Sequence, residues 1–352
     1  MSETIERERE VEYSAAIDEA VQHALGRDDD VFVIGEDVEL LRQGLKEDFP
    51  DRIRNTPISE TAFIGAGTGA AYSGLRPIVE LMFIDFFGVA MDQIYNQLAK
   101  ITYYSDANLQ VPMVIRAAYG GGYRDAGQHQ QCLYSIFGHV PGLKVAVPST
   151  PYDAKGMMTA AINTDDPVLF FEHKLLSDAW LSLLGGDDRW PGGMHEQFDV
   201  PEAGNLGSVP EEEYEVPLGQ ANIKREGDDV TIVTLGAMVH QAIEAAEILS
   251  EEESVDCEVV DLRSVVPLDE ETVIDSVRKT GRVVVVDEDY ERYGLTGEIA
   301  AIVSDQAFDD LDAPVKRVAT EMVPIPFGSP LEDRILPSAQ KIQTAVQAAF
   351  ND

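Results

Sequence analysis

Two successive series of short β-branched runs, each alternating with segments of helical periodicity, constrain this chain more than any other feature. In the first series, residues 31–35, 77–84, 111–117, 144–147 and 168–172 read as buried strands. Between them, residues 14–25 place Ala16, Ile17, Ala20, Val21 and Ala24 at helical spacing, with Gly26 as the expected C-cap. Residues 88–103 read as an amphipathic helix, and Ser149, Thr150 and Pro151 open another that runs to Ile162. The second series has strands over 230–235, 257–262 and 283–287 and helices over 239–249, 270–280 and 297–308. Strands that alternate with helices predict parallel α/β sheets. Between the two series, from Leu181 to Pro217, the pattern gives way to Gly, Pro, Asp and Glu, with Trp190 and Met194 as isolated apolar points. The expected organisation is an α/β domain over 1–180, a long acidic loop and linker over 181–217, and a smaller α/β domain over 218–352.

Charge narrows the function classes. The 352 residues carry 64 acids against 26 bases, a net charge of −38, which disfavours nucleic acid and anionic membrane surfaces as partners. The acids are dispersed in short clusters such as Asp28–Asp30 and Glu251–Glu253 rather than gathered into a tail. The bases are 17 Arg and only 9 Lys. Dispersed acid with scarce Lys is what a halophile's salt-loaded cytoplasm favours, because salt screens the self-repulsion over a few ångströms. The expectation is a fold that needs high salt; a melting point unchanged between low and molar KCl contradicts it. Cys132 and Cys257 cannot build a disulfide framework and read as small buried hydrophobes. The first ten residues, MSETIERERE, hold no apolar signal core, and no apolar run reaches the length of a membrane span, so a cytoplasmic protein is expected.

The most suggestive stretch for chemistry is 53–72, IRNTPISETAFIGAGTGAAY. Pro57 disfavours helix at Thr56, and Ser59 is placed to cap the helix that follows. Gly65, Gly67, Gly69, Ala70 and Ala71 let that helix approach a backbone or a flat ligand closely, at a cost in intrinsic helix stability. Glu60 sits at its mouth, either as a helix-start acid favoured by the dipole or as a carboxylate with a tuned proton affinity. The residues alone favour the first reading. The glycines do not have dinucleotide-loop spacing, and no phosphate loop or transition-metal spacing of Cys and His occurs. Residues 120–131, GGGYRDAGQHQQ, follow the strand over 111–117 and therefore lie at the carboxyl edge of the sheet, where open α/β folds bind ligands. His129, flanked by three glutamines, reads equally as a surface histidine or as a proton-handling group. Phe83, Phe86 and Phe87 read as core, with one of them able to form a flat wall.

Eight motifs in order carry a resemblance: TPISE (56–60), GLRPI (74–78), MDQI (91–94), QHQQC (128–132), HVPGLKV (139–145), VDLR (260–263), PLD (267–269) and GEIAA (297–301). With these the chain resembles, over nearly its whole length, the β subunit of the thiamine diphosphate-dependent 2-oxoacid dehydrogenases, the decarboxylating component of the pyruvate, branched-chain and acetoin dehydrogenase complexes. The resemblance implies a transketolase-like pyrimidine-binding domain with a parallel sheet, followed by a smaller α/β transketolase C-terminal domain. It implies oxidative decarboxylation of a 2-oxoacid, pyruvate or a branched-chain one, with acyl transfer to lipoamide. Glu60 matches the glutamate that hydrogen-bonds a ring nitrogen of the cofactor's aminopyrimidine and favours its imino tautomer. Phe86 matches the aromatic residue that packs on the pyrimidine, Ile58 lies near that ring by its place in the motif, and His129 matches the histidine that faces substrate and the incoming lipoyl group.

The same resemblance exposes gaps. The family's diphosphate and magnesium motif, GDG followed some way on by two asparagines, is missing, and the GDD runs at 186–188 and 227–229 do not replace it. It follows that an α subunit supplies the diphosphate and magnesium half in an α2β2 assembly, with the lipoyl acyltransferase core as a further partner. Some relatives hold potassium on main-chain carbonyls; Ala161, Thr164 and Asp166 are the matching positions. After His173 and Lys174 the family's aromatic-basic pair gives way to LLSDAW, and the loop that follows is long, which leaves the substrate open. Acetoin dehydrogenase, a split transketolase subunit and a non-catalytic scaffold subunit are the alternative readings.

Overall fold

The computed structural model describes residues 9–184 and 202–351. Trp190 and Met194 and the rest of 185–201 lie outside the described residues. In chain order the strands of the first half are β1 (Glu10–Glu12), β2 (Val31–Glu36), β3 (Ile53–Thr56), β4 (Arg76–Phe83), β5 (Val114–Tyr119), β6 (Lys144–Ala146) and β7 (Val168–His173). Those of the second half are β8 (Leu206–Ser208), β9 (Asn222–Arg225), β10 (Val230–Thr234), β11 (Cys257–Asp261), β12 (Ser264–Val266), β13 (Val283–Tyr290) and β14 (Lys316–Thr320).

Seven strands form the larger sheet in the order β12-β6-β7-β5-β4-β2-β3, parallel throughout except for the antiparallel pair β12-β6. Five form the second sheet, β14-β13-β10-β11-β9, with β9 the antiparallel edge. The central strands have helices on both faces and are buried on both, so every residue of β5, β7, β10 and β11 is buried. β12 belongs by sequence to the second half yet extends the first sheet. One apolar core likewise runs from Phe63, Val79 and Phe171 into Val233, Leu262 and Val265.

Several local expectations change. Gly26 lies inside the helix Tyr13–Arg27, whose C-cap is Asp28. Ser59 makes no side-chain cap, although the helix Glu60–Tyr72 starts where expected. The helix expected over 88–103 is broken into Phe87–Met91, a π-helical stretch Asp92–Leu98 and a short turn of helix, Ile101–Tyr104. The 181–217 stretch is not all loop. A helix reaches Leu184, and β8 pairs antiparallel with β1, tying the amino-terminal end of the described chain to the segment after the gap. Cys132 and Cys257 are both buried and free.

Four central-strand and helix charges are buried together. Arg42 Nε lies 2.9 Å from Glu80 Oε1, and Arg116 Nη2 lies 2.8 Å from Glu172 Oε2, with Arg116 Nη1 2.8 Å from Asp18 at the margin. Burial pushes the Glu172 carboxyl up, but Arg116 and Arg42 outweigh it and hold it below the usual range.

The seam between the two halves is acidic. β13 carries Asp287, Glu288 and Asp289 into it, all buried. The Tyr134 hydroxyl donates to Asp287, and burial pushes the Asp289 carboxyl up to about 6. A raised aspartate favours the fold fully below its unfolded value near 3.8, and that contribution is lost as pH rises through about 6. At pH 7.5 the ionised Asp289 is therefore a net cost. Asp289→Asn should stabilise the protein at pH 7.5 by up to about 3 kcal/mol, from the size of the shift. Melts at the two pH values check it: the gain should fade by pH 4, and a gain of the same size there contradicts the burial account.

Candidate active site

The carboxyl ends of β3, β2, β4, β5 and β7 succeed one another along one sheet edge, and each delivers a residue there. Glu60 follows β3 and begins the helix Glu60–Tyr72. That helix lies hard against β4: a methyl group on Gly67 would come within 2.6 Å of Val79 Cγ2. Its first turn is pinned by Thr61 Oγ1, which donates to the Val89 carbonyl at 2.7 Å. Glu60 is only 8% exposed, and among the described residues nothing donates a hydrogen bond to its carboxylate. Glu36, at the end of β2, has its carboxyl pushed up by burial, by Asp37 and by Glu60.

Phe86 ends the 3-10 turn Ile84–Phe86 after β4. Its ring meets His129 edge-on, with centroids 5.7 Å apart at 86°. Phe83 lies 5.5 Å from His129 and 5.1 Å from Trp180, so four rings form one wall. The Trp180 indole donates to Glu172 at 2.6 Å, which ties this wall to the buried Arg116 network.

His129 Nδ1 lies 3.2 Å from the Asp125 carbonyl oxygen. A carbonyl only accepts, so Nδ1 carries the proton and donates, and Nε2 is the ring nitrogen left for chemistry. The loop around it is closed at its root by the Gly120 N–H donating to the Gln131 carbonyl at 3.3 Å. Asp85 accepts from the Gln131 backbone and side chain at 3.2 and 2.7 Å. The Lys174 ammonium donates to the His129 carbonyl and lies 5.0 Å from the Phe83 ring centre. Burial drives the Lys174 pKa down to about 8, against the opposing pull of Asp85, Asp125, Glu288 and Glu332.

Of the residues singled out from sequence, Phe86 and His129 touch. Glu60 shares their edge two strands from β4, roughly 10 Å at the usual strand spacing. Ile58 is 73% exposed on the turn before Glu60. At the corner of Ala161, Thr164 and Asp166, the Thr164 carbonyl accepts from Arg76 at 3.2 Å, and Lys144 Nζ reaches Thr164 Oγ1 at 3.0 Å and Asp166 at 2.9 Å. Among the described residues no group of His, Cys, Asp and Glu could hold a metal ion, and no helix is long and apolar enough to cross a membrane. Sequence reasoning missed Lys174, Asp85, Phe83 as a site wall and Trp180. Their signal is weak because each acts on a neighbour's backbone or ring rather than presenting a motif.

Residues 9–178 match the family described as "Transketolase, pyrimidine binding domain", and residues 219–342 match "Transketolase, C-terminal domain". The chain is 43% identical to the acetoin:2,6-dichlorophenolindophenol oxidoreductase subunit beta of Cupriavidus necator, over 96% of this chain and 97% of that one. It is 41% identical to the 2-oxoisovalerate dehydrogenase subunit beta of Bacillus subtilis, over 95% and 97%. It is 42% identical to the pyruvate dehydrogenase E1 component subunit beta of Rickettsia felis, over 94% and 96%. Among solved structures, a chain titled "Split gene transketolase, inactive beta4 tetramer" superposes with a TM-score of 0.74, covering 97% of this chain and 98% of that one at 24% identity, which shows the shared fold. A transketolase-like pair of α/β domains, and relatives of these three kinds at this identity and coverage, place the chain in the family of β subunits of the pyruvate, branched-chain 2-oxoacid and acetoin dehydrogenases.

Proposed function

We propose that this chain is the β subunit of the decarboxylating component of a 2-oxoacid dehydrogenase complex, acting on pyruvate or a branched-chain 2-oxoacid and passing the acyl group to lipoamide. The observation that carries the reading is Glu60: a nearly buried carboxylate with no donor of its own, on the same edge as the Phe86–His129 ring pair. This fits a flat heteroaromatic ring bearing a donor. Thiamine diphosphate, when bound, supplies the electron sink that lets a 2-oxoacid lose carbon dioxide. Glu60 accepts the ring's hydrogen bond and holds the proton balance of the aminopyrimidine there. A dry surround strengthens that bond. Phe86 offers the ring an apolar face. His129, with Nδ1–H committed to Asp125, offers Nε2 for the proton that moves during acyl handover.

An α subunit holds the diphosphate and magnesium in this reading, because this chain lacks the motif for them. The active centre is then shared in an α2β2 assembly that serves a lipoyl acyltransferase core. The three kinds of relative differ by only two percentage points of identity, so similarity does not select the substrate. Acetoin dehydrogenase is accordingly kept as the second reading. The test is turnover by the co-purified α and β chains in molar KCl with thiamine diphosphate, magnesium and an artificial electron acceptor. The panel is pyruvate, 2-oxobutyrate, three branched 2-oxoacids and acetoin. A preference for one 2-oxoacid supports the reading and names the branch, and a preference for acetoin selects the second. No turnover of any of them and no bound cofactor turns the reading to a scaffold subunit.

A further inference from the structure

The loop that carries His129 is conformationally expensive. Besides Gly120 and Gly122, Arg124 (φ 61°) and Ala126 (φ 63°) adopt the left-handed region that side chains disfavour. Such a backbone persists only where its surroundings hold it. One holder is local: Lys174, on the His129 carbonyl. The others come from the carboxyl-terminal half. Glu288 on β13 accepts from the Gly121 N–H, and Glu332 on the helix Ser329–Ile335 accepts from the Gly122 N–H at 2.8 Å. Glu288 is itself aimed by the His173 ring, whose Nε2 lies 2.7 Å from Oε2 while Nδ1 accepts from the Leu175 N–H. Near the loop's tip, Gly127 sits so close to the Ile325 carbonyl that a methyl group would come within 3.1 Å of it.

We propose that Glu288 and Glu332 are positioning residues for His129: the carboxyl-terminal half grips the Gly121 and Gly122 amides and so fixes the loop that presents the His129 ring beside Phe86. The two carboxylates make the second domain part of the active site without touching substrate. The bonds run inward from a buried position, since both side chains are almost wholly covered. A side chain at Gly121 or Gly122 would disturb this grip: a methyl group on Gly121 would come within 2.8 Å of Leu336, and Gly122 has a φ of +78°.

The catalytic half of this proposal rests on the function argued above, and the test separates the two. In the α–β complex, Glu332→Ala and Glu288→Ala are compared with wild type, and Glu332→Gln serves as the rescue because it keeps an acceptor. Amide hydrogen exchange over 120–131 reads the grip directly. Decarboxylation with an artificial acceptor and acyl transfer to lipoamide read its consequence. The expectation for Glu332→Ala is faster exchange confined to the loop and a loss of about ten- to a hundredfold in acyl transfer, with a smaller loss in decarboxylation. Glu332→Gln should recover most of both. Loop exchange unchanged in both Glu332→Ala and Glu288→Ala overturns the proposal. So does faster loop exchange with both half-reactions at wild-type rates, or a uniform rise in exchange across the chain. A wild-type complex that turns over nothing overturns the proposed function and the catalytic half with it, while the exchange comparison still decides the grip.

Discussion

Glu60→Gln in the assembled enzyme should lower turnover at least about a hundredfold, the range that loss of a positioned proton-handling group produces. The variant should melt no lower than wild type. Glu60 is 8% exposed and receives no hydrogen bond from the described residues, so replacing it removes no side-chain contact that holds the fold. Glutamine preserves the shape, but its neutral amide replaces a charge-assisted acceptor and cannot take up a proton. Glu60→Ala should lose activity at least as far. Activity lost with stability kept is the signature of a site residue, whereas a helix-start acid would behave in the opposite way, with activity kept and stability slightly reduced. Steady-state turnover with a parallel thermal melt decides between them; activity within threefold of wild type contradicts the assignment.

The second large effect lies in the buried charge network. Arg116→Met should destabilise the fold by about 3–5 kcal/mol, because it leaves Arg42 alone to balance the buried Glu80 and Glu172. A shift of that size lowers the melting temperature by roughly 10 °C. The loss is expected to reach the site, since Glu172 also receives the Trp180 indole and Trp180 packs on Phe83. The double variant Arg116→Met with Glu172→Gln should recover part of the loss, as residues sharing one network are not additive. Melts of the single and double variants measure this. A single variant that melts within about 2 °C of wild type would show that the network contributes little.

The strands that hold the site were legible because central parallel strands bury both faces and read as short apolar runs. β5, β7, β10 and β11 all lie within two or three residues of where the sequence places them. Short edge strands carried no such signal: β9, β12 and β14 are defined by their neighbours, and β12 joins a sheet over a hundred residues away in sequence. The helix Ala339–Asn351 also went unread, although Ile342, Val346 and Ala349 form its buried face. The 88–103 periodicity was real, but a π-helical stretch shifts its register, which apolar spacing does not reveal.

At the site, Glu60, Phe86 and His129 were visible through ordered motifs. Lys174, Glu288 and Glu332 were not, because they act on main-chain atoms of the His129 loop. The hydrogen bonds of Glu288 and Glu332 span 167 and 210 residues, and no local pattern encodes such a pairing.

The central claim is that this chain completes a thiamine diphosphate site it cannot form alone. The most direct measurement is calorimetric titration of thiamine diphosphate with magnesium into three samples: the chain alone, the co-purified α–β complex, and that complex with Glu60→Ala. The account predicts no saturable binding to the chain alone, one site per αβ pair in the complex, and weakened binding in the variant. Saturable binding to the isolated chain, or a wild-type complex that binds no cofactor, would contradict it.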